Sequence, residues 1–144
     1  MATQIERDRL ISILTILGFD RRLRRAFPDL ISEGFPVSSF ASVSKHTNVS
    51  QERLSFVMNP AALQRHIANE DARLDVGESN RLFLVARIYA LAEMVLGSAE
   101  NARAWMNTPN RSLDNAKPFD LFSTEAEAHR VEDTLGRIAD GAFR

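Results

Sequence analysis

The sequence contains no cysteine, only three histidines and only six glycines, and each shortage excludes a class of site. Without cysteine there are no disulfides and no thiolate metal sites. His46, His66 and His129 lie far apart and lack metal-ligand spacing, so we expect surface or capping roles for them. The glycines are scattered and form no phosphate-binding loop, so no metal or other cofactor is predicted.

Long hydrophobic runs are also missing. The most apolar stretch, residues 82–96, is interrupted by Arg87 and Glu93 and is shorter than the ~20 apolar residues of a membrane-spanning helix. The first residues carry mixed charge, unlike a signal peptide. An apolar fraction of 44% with a net charge of −1 is typical of a globular chain. We therefore expect a folded, soluble, cytoplasmic protein without a membrane partner.

Helix signals recur along the chain, whereas alternating strand patterns of useful length are missing. A capping box places two side chains three residues apart, each bonded to the other's backbone amide at a helix start. Such pairs precede three apolar stripes of helical spacing, and they are Thr3 with Glu6, Asp75 with Glu78, and Thr124 with Glu127. The sequence predicts an all-α fold, with further helices over residues 20–27 and 29–33.

The longest predicted helix begins at Asp75 and ends before Gly97. Leu82, Val85 and Tyr89 share one face, and other large apolar residues lie off that face, so the helix is apolar around most of its circumference. A helix of this kind is buried on more than one side. It lies either at the centre of a bundle or in a dimer interface.

Residues 40–57 fit a helix-turn-helix. Ser44 is the small residue needed where the two helices meet, and Asn48 tolerates the left-handed conformation of the turn. Val49, Leu54 and Val57 have the spacing that packs the second helix onto the first. Ser50 can cap the second helix, whose exposed start would read DNA bases through Ser50, Gln51, Glu52, Arg53 and Ser55.

Two interpretations of this segment remain open. Glutamine suits adenine and arginine suits guanine or phosphate, which favours DNA binding. Two short helices joined by a three-residue turn are nevertheless common in any helical bundle, and Glu52 and Phe56 are unfavourable choices for a strong DNA binder. The one basic cluster, Arg21-Arg22-Leu23-Arg24-Arg25, is compatible with DNA contact, although such a run is usually a solvated helix face.

From Asp75 onward the sequence carries a long set of residues in a characteristic order and spacing. They are Glu78-Ser79-Asn80-Arg81-Leu82, Ala102, Trp105-Met106, Thr108-Pro109-Asn110, Leu113, Pro118-Phe119-Asp120-Leu121-Phe122, Thr124-Glu125, Val131-Glu132, Leu135, Arg137-Ile138 and Gly141. In this order and spacing the sequence resembles the antitoxins called Xre/MbcA/ParS, and Gly34-Phe35-Pro36 stands where that family keeps its Xre-like module.

The chain departs from the family pattern at three places. It has Asp114-Asn115-Ala116 where the family often has a pair of glycines, and Ala126-Glu127-Ala128 where the family commonly has one glycine. Asn80 stands where aspartate is more usual.

The resemblance implies a helix-turn-helix module over residues 1–70 and a toxin-binding domain over residues 71–144. It further implies that the chain binds a RES-domain toxin, which has an ADP-ribosyltransferase-like fold and uses NAD, and blocks the active site of that toxin. Repression of its own operon through operator DNA, and self-association as a homodimer, are also implied. The candidate toxin-binding residues are Asn110, Leu113, Asp120, Glu132, Asp133, Arg137, Asp140, Gly141 and Phe143.

The last helix and the residues after it are the part of the chain where we expect neutralisation. A pocket that holds the pyrophosphate of NAD should be cationic, so an acidic segment ending in Phe143 would suit it. The alternative is that Phe143 packs on its own core.

Two other functions remain open. The chain could be a stand-alone dimeric helix-turn-helix regulator whose second half only dimerises. A helical enzyme is the third reading, but neighbouring acids such as Glu132 and Asp133 point in different directions from a helix and form no acid/base pair. We therefore expect a protein that is not an enzyme.

Overall fold

A computed structural model of the chain describes residues 3–69 and 72–141. These residues form seven α-helices, two 3₁₀ helices and no strand, so the predicted all-α fold is confirmed. The α-helices are α1 (Gln4–Ile16), α2 (Phe27–Glu33), α3 (Ser38–Thr47), α4 (Pro60–Ile67), α5 (Val76–Leu96), α6 (Ala99–Met106) and α7 (Glu125–Gly141). The first 3₁₀ helix is Arg111–Leu113 and the second is Pro118–Leu121.

The chain divides into two compact units, Met1–Ala86 and Arg87–Arg144, and the boundary falls inside α5. Within the described ranges, no single helix is both long and apolar enough to cross a membrane, and α5 and α6 approach that character only as a bent pair.

Two of the three predicted capping boxes are complete. The Glu6 amide donates to Thr3 Oγ1 at 3.1 Å and the Thr3 amide to Glu6 Oε2 at 2.9 Å. The Glu78 amide donates to Asp75 Oδ1 at 2.7 Å and the Asp75 amide to Glu78 Oε1 at 2.9 Å. At the start of α7 the Glu127 amide donates to Thr124 Oγ1 at 3.3 Å. The Glu127 carboxylate instead accepts from the guanidinium of Arg130 at 2.9 Å, because the two residues are neighbours on the helix surface.

The predicted helix over residues 20–27 is wrong. Residues 20–26 form a loop, which we call the arginine loop. The Asp20 carboxylate accepts from the backbone amide of Arg22 at 2.8 Å, and this local bond stabilises a turn in competition with helical pairing. Gly18, at φ +80°, has already ended α1, so the next helix begins only at Phe27.

Of the six glycines, Gly34 lies closest to another backbone segment. Its φ is +89°, and a Cβ at this position would lie 2.3 Å from the carbonyl oxygen of Leu74. The chain can therefore pass here only without a side chain. Two hydrogen bonds accompany this approach, since the Leu74 amide donates to the Phe35 carbonyl at 2.8 Å and the side-chain Nη1 of Arg73 donates to the Gly34 carbonyl at 2.9 Å.

The contact at Gly34 joins the segment before α3 to the segment that starts α5. The Phe35 side chain is fully buried, and its amide donates to the hydroxyl of Ser79 in α5 at 3.0 Å, a bond that is itself buried. The ring of Phe19 meets Phe35 edge to face, with centroids 5.5 Å apart. The Ser42 hydroxyl of α3 donates to the Ile16 carbonyl of α1 at 2.9 Å. The helix-turn-helix region is thereby positioned by a buried bond to α5 and a partly buried bond to α1.

The second unit is built around an aromatic cluster and an ion pair. Tyr89 meets Phe122 edge to face with centroids 6.1 Å apart, and Phe119 lies 5.4 Å from Phe122. Arg87 donates from Nε and Nη2 to the two carboxylate oxygens of Glu132, at 2.9 and 3.2 Å. This bidentate pair joins the second half of α5 to α7.

The large apolar side chains of α5 differ in exposure. Leu82, Val85, Ile88 and Tyr89 are buried, whereas Val76 and Met94 are 50% and 44% exposed. The others are half-buried, and they are Phe83, Leu84, Leu91, Val95 and Leu96. Both interpretations of this helix, bundle centre and dimer interface, therefore stay predictions.

Candidate functional site

The turn of the helix-turn-helix has the predicted geometry. Asn48 follows the last residue of α3 and is left-handed, at φ 55° and ψ 37°. The Val49 amide donates to the Ser44 carbonyl at 3.1 Å, and the Ser44 hydroxyl donates to the Val49 carbonyl at 2.6 Å. These two bonds fix the direction in which the chain leaves α3.

The segment after the turn differs from the predicted regular helix. Residues 51–58 form successive turns, in which backbone amides donate to carbonyls three residues earlier. The Leu54 amide donates to the Gln51 carbonyl at 3.1 Å, and the Val57 amide donates to the Leu54 carbonyl at 2.9 Å. Little room is available for an α-helix, since Asn59 adopts the extended backbone favoured before Pro60 and caps α4 by accepting from the Ala62 amide at 2.8 Å. The Ser50 hydroxyl nevertheless accepts from the Arg53 amide at 3.3 Å, in the manner of a cap.

The burial pattern of this segment follows the prediction. The side chains of Val49, Leu54 and Val57 are each at most 1% exposed. The five candidate DNA-reading residues are all exposed, and they are Ser50, Gln51, Glu52, Arg53 and Ser55. Hydroxyl, amide, carboxylate and guanidinium groups are thus presented together on one short, firmly anchored segment.

Arg81 of α5 holds the end of this segment in place, a role that the sequence did not predict. Its Nε and Nη2 donate to the Val57 carbonyl at 3.1 and 3.0 Å. The carbonyl would otherwise have no helical partner, because the turns end there. The contact spans 24 residues of sequence, so no local pattern could indicate it.

The loop between α6 and the second 3₁₀ helix is held by its own backbone. The Asn110 amide donates to the Ala116 carbonyl at 3.0 Å, and the Asn115 amide donates to the Asn110 carbonyl at 2.9 Å. Asp114 and Asn115 both have positive φ, at 58° and 66°. Asp and Asn are the non-glycine residues that tolerate this conformation best. The loop therefore makes its left-handed turn without a glycine.

The loop is also bound to α7 through Arg130. Its guanidinium donates to Asp114 at 3.1 Å and to Glu127 at 2.9 Å, and these bonds raise the pKa of Arg130 above its ordinary value. Two candidate residues of the loop contact the loop itself. Leu113 is 1% exposed, and the half-buried Asn110 accepts from the Ser112 amide with its side chain at 2.8 Å. Both can shape the loop, and neither is presented fully to solvent.

The candidate residues on α7 divide into two groups. Glu132 faces inward, with its carboxylate on Arg87 and on His129 Nδ1 at 3.2 Å. Asp133, Arg137 and Asp140 are exposed and share one face of the helix, since they are four and three residues apart. We call these three residues the α7 stripe.

The remaining candidates are Gly141, Asp120 and Phe143. Gly141 is exposed at the end of α7, Asp120 is exposed on the second 3₁₀ helix, and Phe143 lies outside the described residues. In the part of the chain that the structure describes, no three histidine or carboxylate side chains are grouped so as to hold a metal ion.

Comparison with known protein families also divides the chain into two parts. Residues 26–87 match the model of the antitoxin Xre-like helix-turn-helix domain, and residues 91–141 match that of the antitoxin Xre/MbcA/ParS C-terminal toxin-binding domain. A protein named Antitoxin Xre from Pseudomonas putida is 29% identical over 111 residues, which cover 77% of this chain and 69% of the relative. A second Antitoxin Xre, from Yersinia enterocolitica, is 29% identical over 117 residues, which cover 80% and 79%.

The positive φ of Asn115 gives a stability test of the loop. Replacing Asn115 with glycine should leave the free energy of unfolding unchanged or raise it, because glycine adopts this conformation without strain. Replacing it with alanine should lower that free energy by roughly 1 kcal/mol, since Cβ is disfavoured at positive φ. Urea denaturation followed by circular dichroism measures both. Equal stability of the glycine and alanine variants would show that residue 115 is not left-handed in solution.

Proposed function

From the premise that this chain belongs to the Xre/MbcA/ParS antitoxins, with a helix-turn-helix domain followed by a toxin-binding domain, we propose that it neutralises a RES-domain toxin and represses its own operon. The toxin has an ADP-ribosyltransferase-like fold and uses NAD. The antitoxin blocks access to its active site and, with the other unit, binds operator DNA.

The single observation that carries the toxin-binding proposal is the α7 stripe in the matched toxin-binding domain. Asp133, Arg137 and Asp140 are exposed on one face, and the helix below them is fixed by Arg87 on Glu132 and by Arg130 on the loop. A surface that is already rigid loses little conformational freedom on binding. Two carboxylates on one ridge complement a pocket built to hold a pyrophosphate.

The other candidates have defined roles in this proposal. Leu113, Asn110 and Glu132 hold the loop and the helix in place, and Asp120 and Gly141 border the surface. Phe143 is proposed to enter the toxin cleft beyond the end of α7. The antitoxin acts in the cytoplasm, as a homodimer within a larger complex, with residues 1–70 as its DNA-binding module and residues 71–144 as its toxin-binding module.

DNA binding is proposed to use the exposed segment after Asn48. Gln51 and Arg53 supply the side chains best suited to base edges and phosphates. Val49, Leu54 and Val57 anchor the segment from below, and Arg81 holds its end. Repression then follows from occupation of the operator.

Charge reversal on the α7 stripe tests the toxin-binding proposal. The double variant Asp133→Arg/Asp140→Arg should bind the cognate RES-domain toxin at least about tenfold more weakly, which corresponds to ~1.4 kcal/mol. The measurements are binding by calorimetry and rescue of growth when both proteins are co-expressed. Glu100→Arg, on the exposed surface of α6, is the matched control and should rescue like the wild type.

Two outcomes would contradict the proposal in different ways. Full neutralisation by the double variant would move the binding surface away from the α7 stripe. A wild-type chain that leaves the toxin fully active at saturating amounts would support a stand-alone regulator instead.

A second test concerns the operator. Gln51→Ala should weaken binding to operator DNA by about tenfold, within the 1–3 kcal/mol expected for a lost base contact. Arg53→Ala should also reduce the dependence of log affinity on log salt by about one unit if Arg53 contacts a phosphate. Electrophoretic mobility shift at several salt concentrations measures both, with Arg111→Ala in the second unit as the control. Wild-type affinity that does not change with salt would overturn the assignment.

A further inference from the structure

A groove in the first unit lies between α1 and the arginine loop, largely outside both matched domains, which begin at residue 26 and residue 91. It consists of two adjoining cavities of about 340 and 420 Å³. The residues common to both cavities are Leu10, Leu14, Leu23 and Arg24. We call this feature the N-terminal groove.

The floor of the N-terminal groove is apolar. Leu14 is buried, Leu23 and Phe27 are half-buried, and Leu10 is 45% exposed. A leucine left this accessible beside other apolar side chains in a concavity is typical of a surface that receives an apolar group.

The rim of the groove is basic. Arg22 pairs with Asp20 at 3.2 Å and Arg25 pairs with Glu33, and the hydrogen bonds from these arginines lower the pKa of both carboxyl groups. These pairs hold the arginine loop in shape. Arg7, Arg21 and Arg24 also line the groove, and among the described residues none of the three forms a salt bridge. None of the described residues that line the two cavities is acidic, so among them three cations surround an apolar floor without a carboxylate between them.

We propose that the N-terminal groove binds an acidic amphipathic helix of a partner protein other than the toxin. Leucine side chains of that helix fill the space over Leu10, Leu14 and Leu23, and its glutamates pair with Arg7, Arg21 and Arg24. The apolar floor favours a peptide over DNA, because a phosphate backbone gains nothing from leucine. An amphipathic helix in a groove is a recurrent recognition mode, and the arginine rim selects for acidic flanks.

The test uses the full-length chain and a dye-labelled synthetic helical peptide, with leucines at intervals of three and four residues and glutamates beside them. Fluorescence anisotropy should detect saturable binding that weakens as salt is added, since the rim charges contribute. Leu10→Ser should weaken binding at least tenfold, and Ile67→Ser, at a residue of the same size that is 57% exposed outside the groove, should not. Arg21→Glu/Arg24→Glu should weaken it similarly, whereas Arg111→Glu/Lys117→Glu in the second unit should not.

Three outcomes would overturn the proposal. Absence of saturable peptide binding would do so directly. Unchanged binding by Leu10→Ser would show that the peptide binds the arginines alone and not the apolar floor. Peptide-independent loss of operator affinity in Arg21→Glu/Arg24→Glu would assign the arginines to DNA phosphates. If the wild-type chain sediments as a dimer and Leu10→Ser sediments as a monomer, the groove would be assigned to a second copy of the chain.

Discussion

The first unit depends on a place where two backbones touch. Residue 34 runs so close to the Leu74 carbonyl that a methyl group would lie 2.3 Å from it, and glycine is the one residue that fits. This approach brings the Phe35 amide to the buried Ser79 hydroxyl and so joins the start of the helix-turn-helix to the start of α5. Arg81, two residues further along α5, then reaches the Val57 carbonyl. The segment proposed to read DNA is therefore positioned from α5 although it is not itself a regular helix.

The second unit achieves a comparable rigidity with charged groups. The Arg87–Glu132 pair is partly buried, at 31% and 18% side-chain exposure, and its bidentate geometry fixes the rotation of α7. Arg130 and the two left-handed residues Asp114 and Asn115 fix the loop beside that helix. The acidic residues of α7 therefore differ in role, since Glu132 stabilises the fold whereas Asp133 and Asp140 remain exposed to a partner.

Local chemistry accounts for what the sequence could predict. Capping pairs, helical spacing and the left-handed tolerance of Asn48 act over a few residues, so the all-α fold and the position of the turn were predicted correctly. Two of the failures, the helix over residues 20–27 and the regular helix after Ser50, are places where a side-chain bond or a nearby proline competes with helical pairing. The contacts of Arg81, Arg87 and Arg130 were missed because each of these residues has a partner that is distant in sequence, and distance also hid the inward orientation of Glu132.

The proposed toxin-binding surface is rigid before any toxin binds. Amide hydrogen exchange measured by mass spectrometry, on the free chain and on its complex with the proposed RES-domain toxin, tests this. We expect residues 107–117 and 125–141 to be protected in the free chain, and the toxin to add protection around Asp133–Gly141. Fast exchange of these segments in the free chain, with protection gained only on binding, would contradict it.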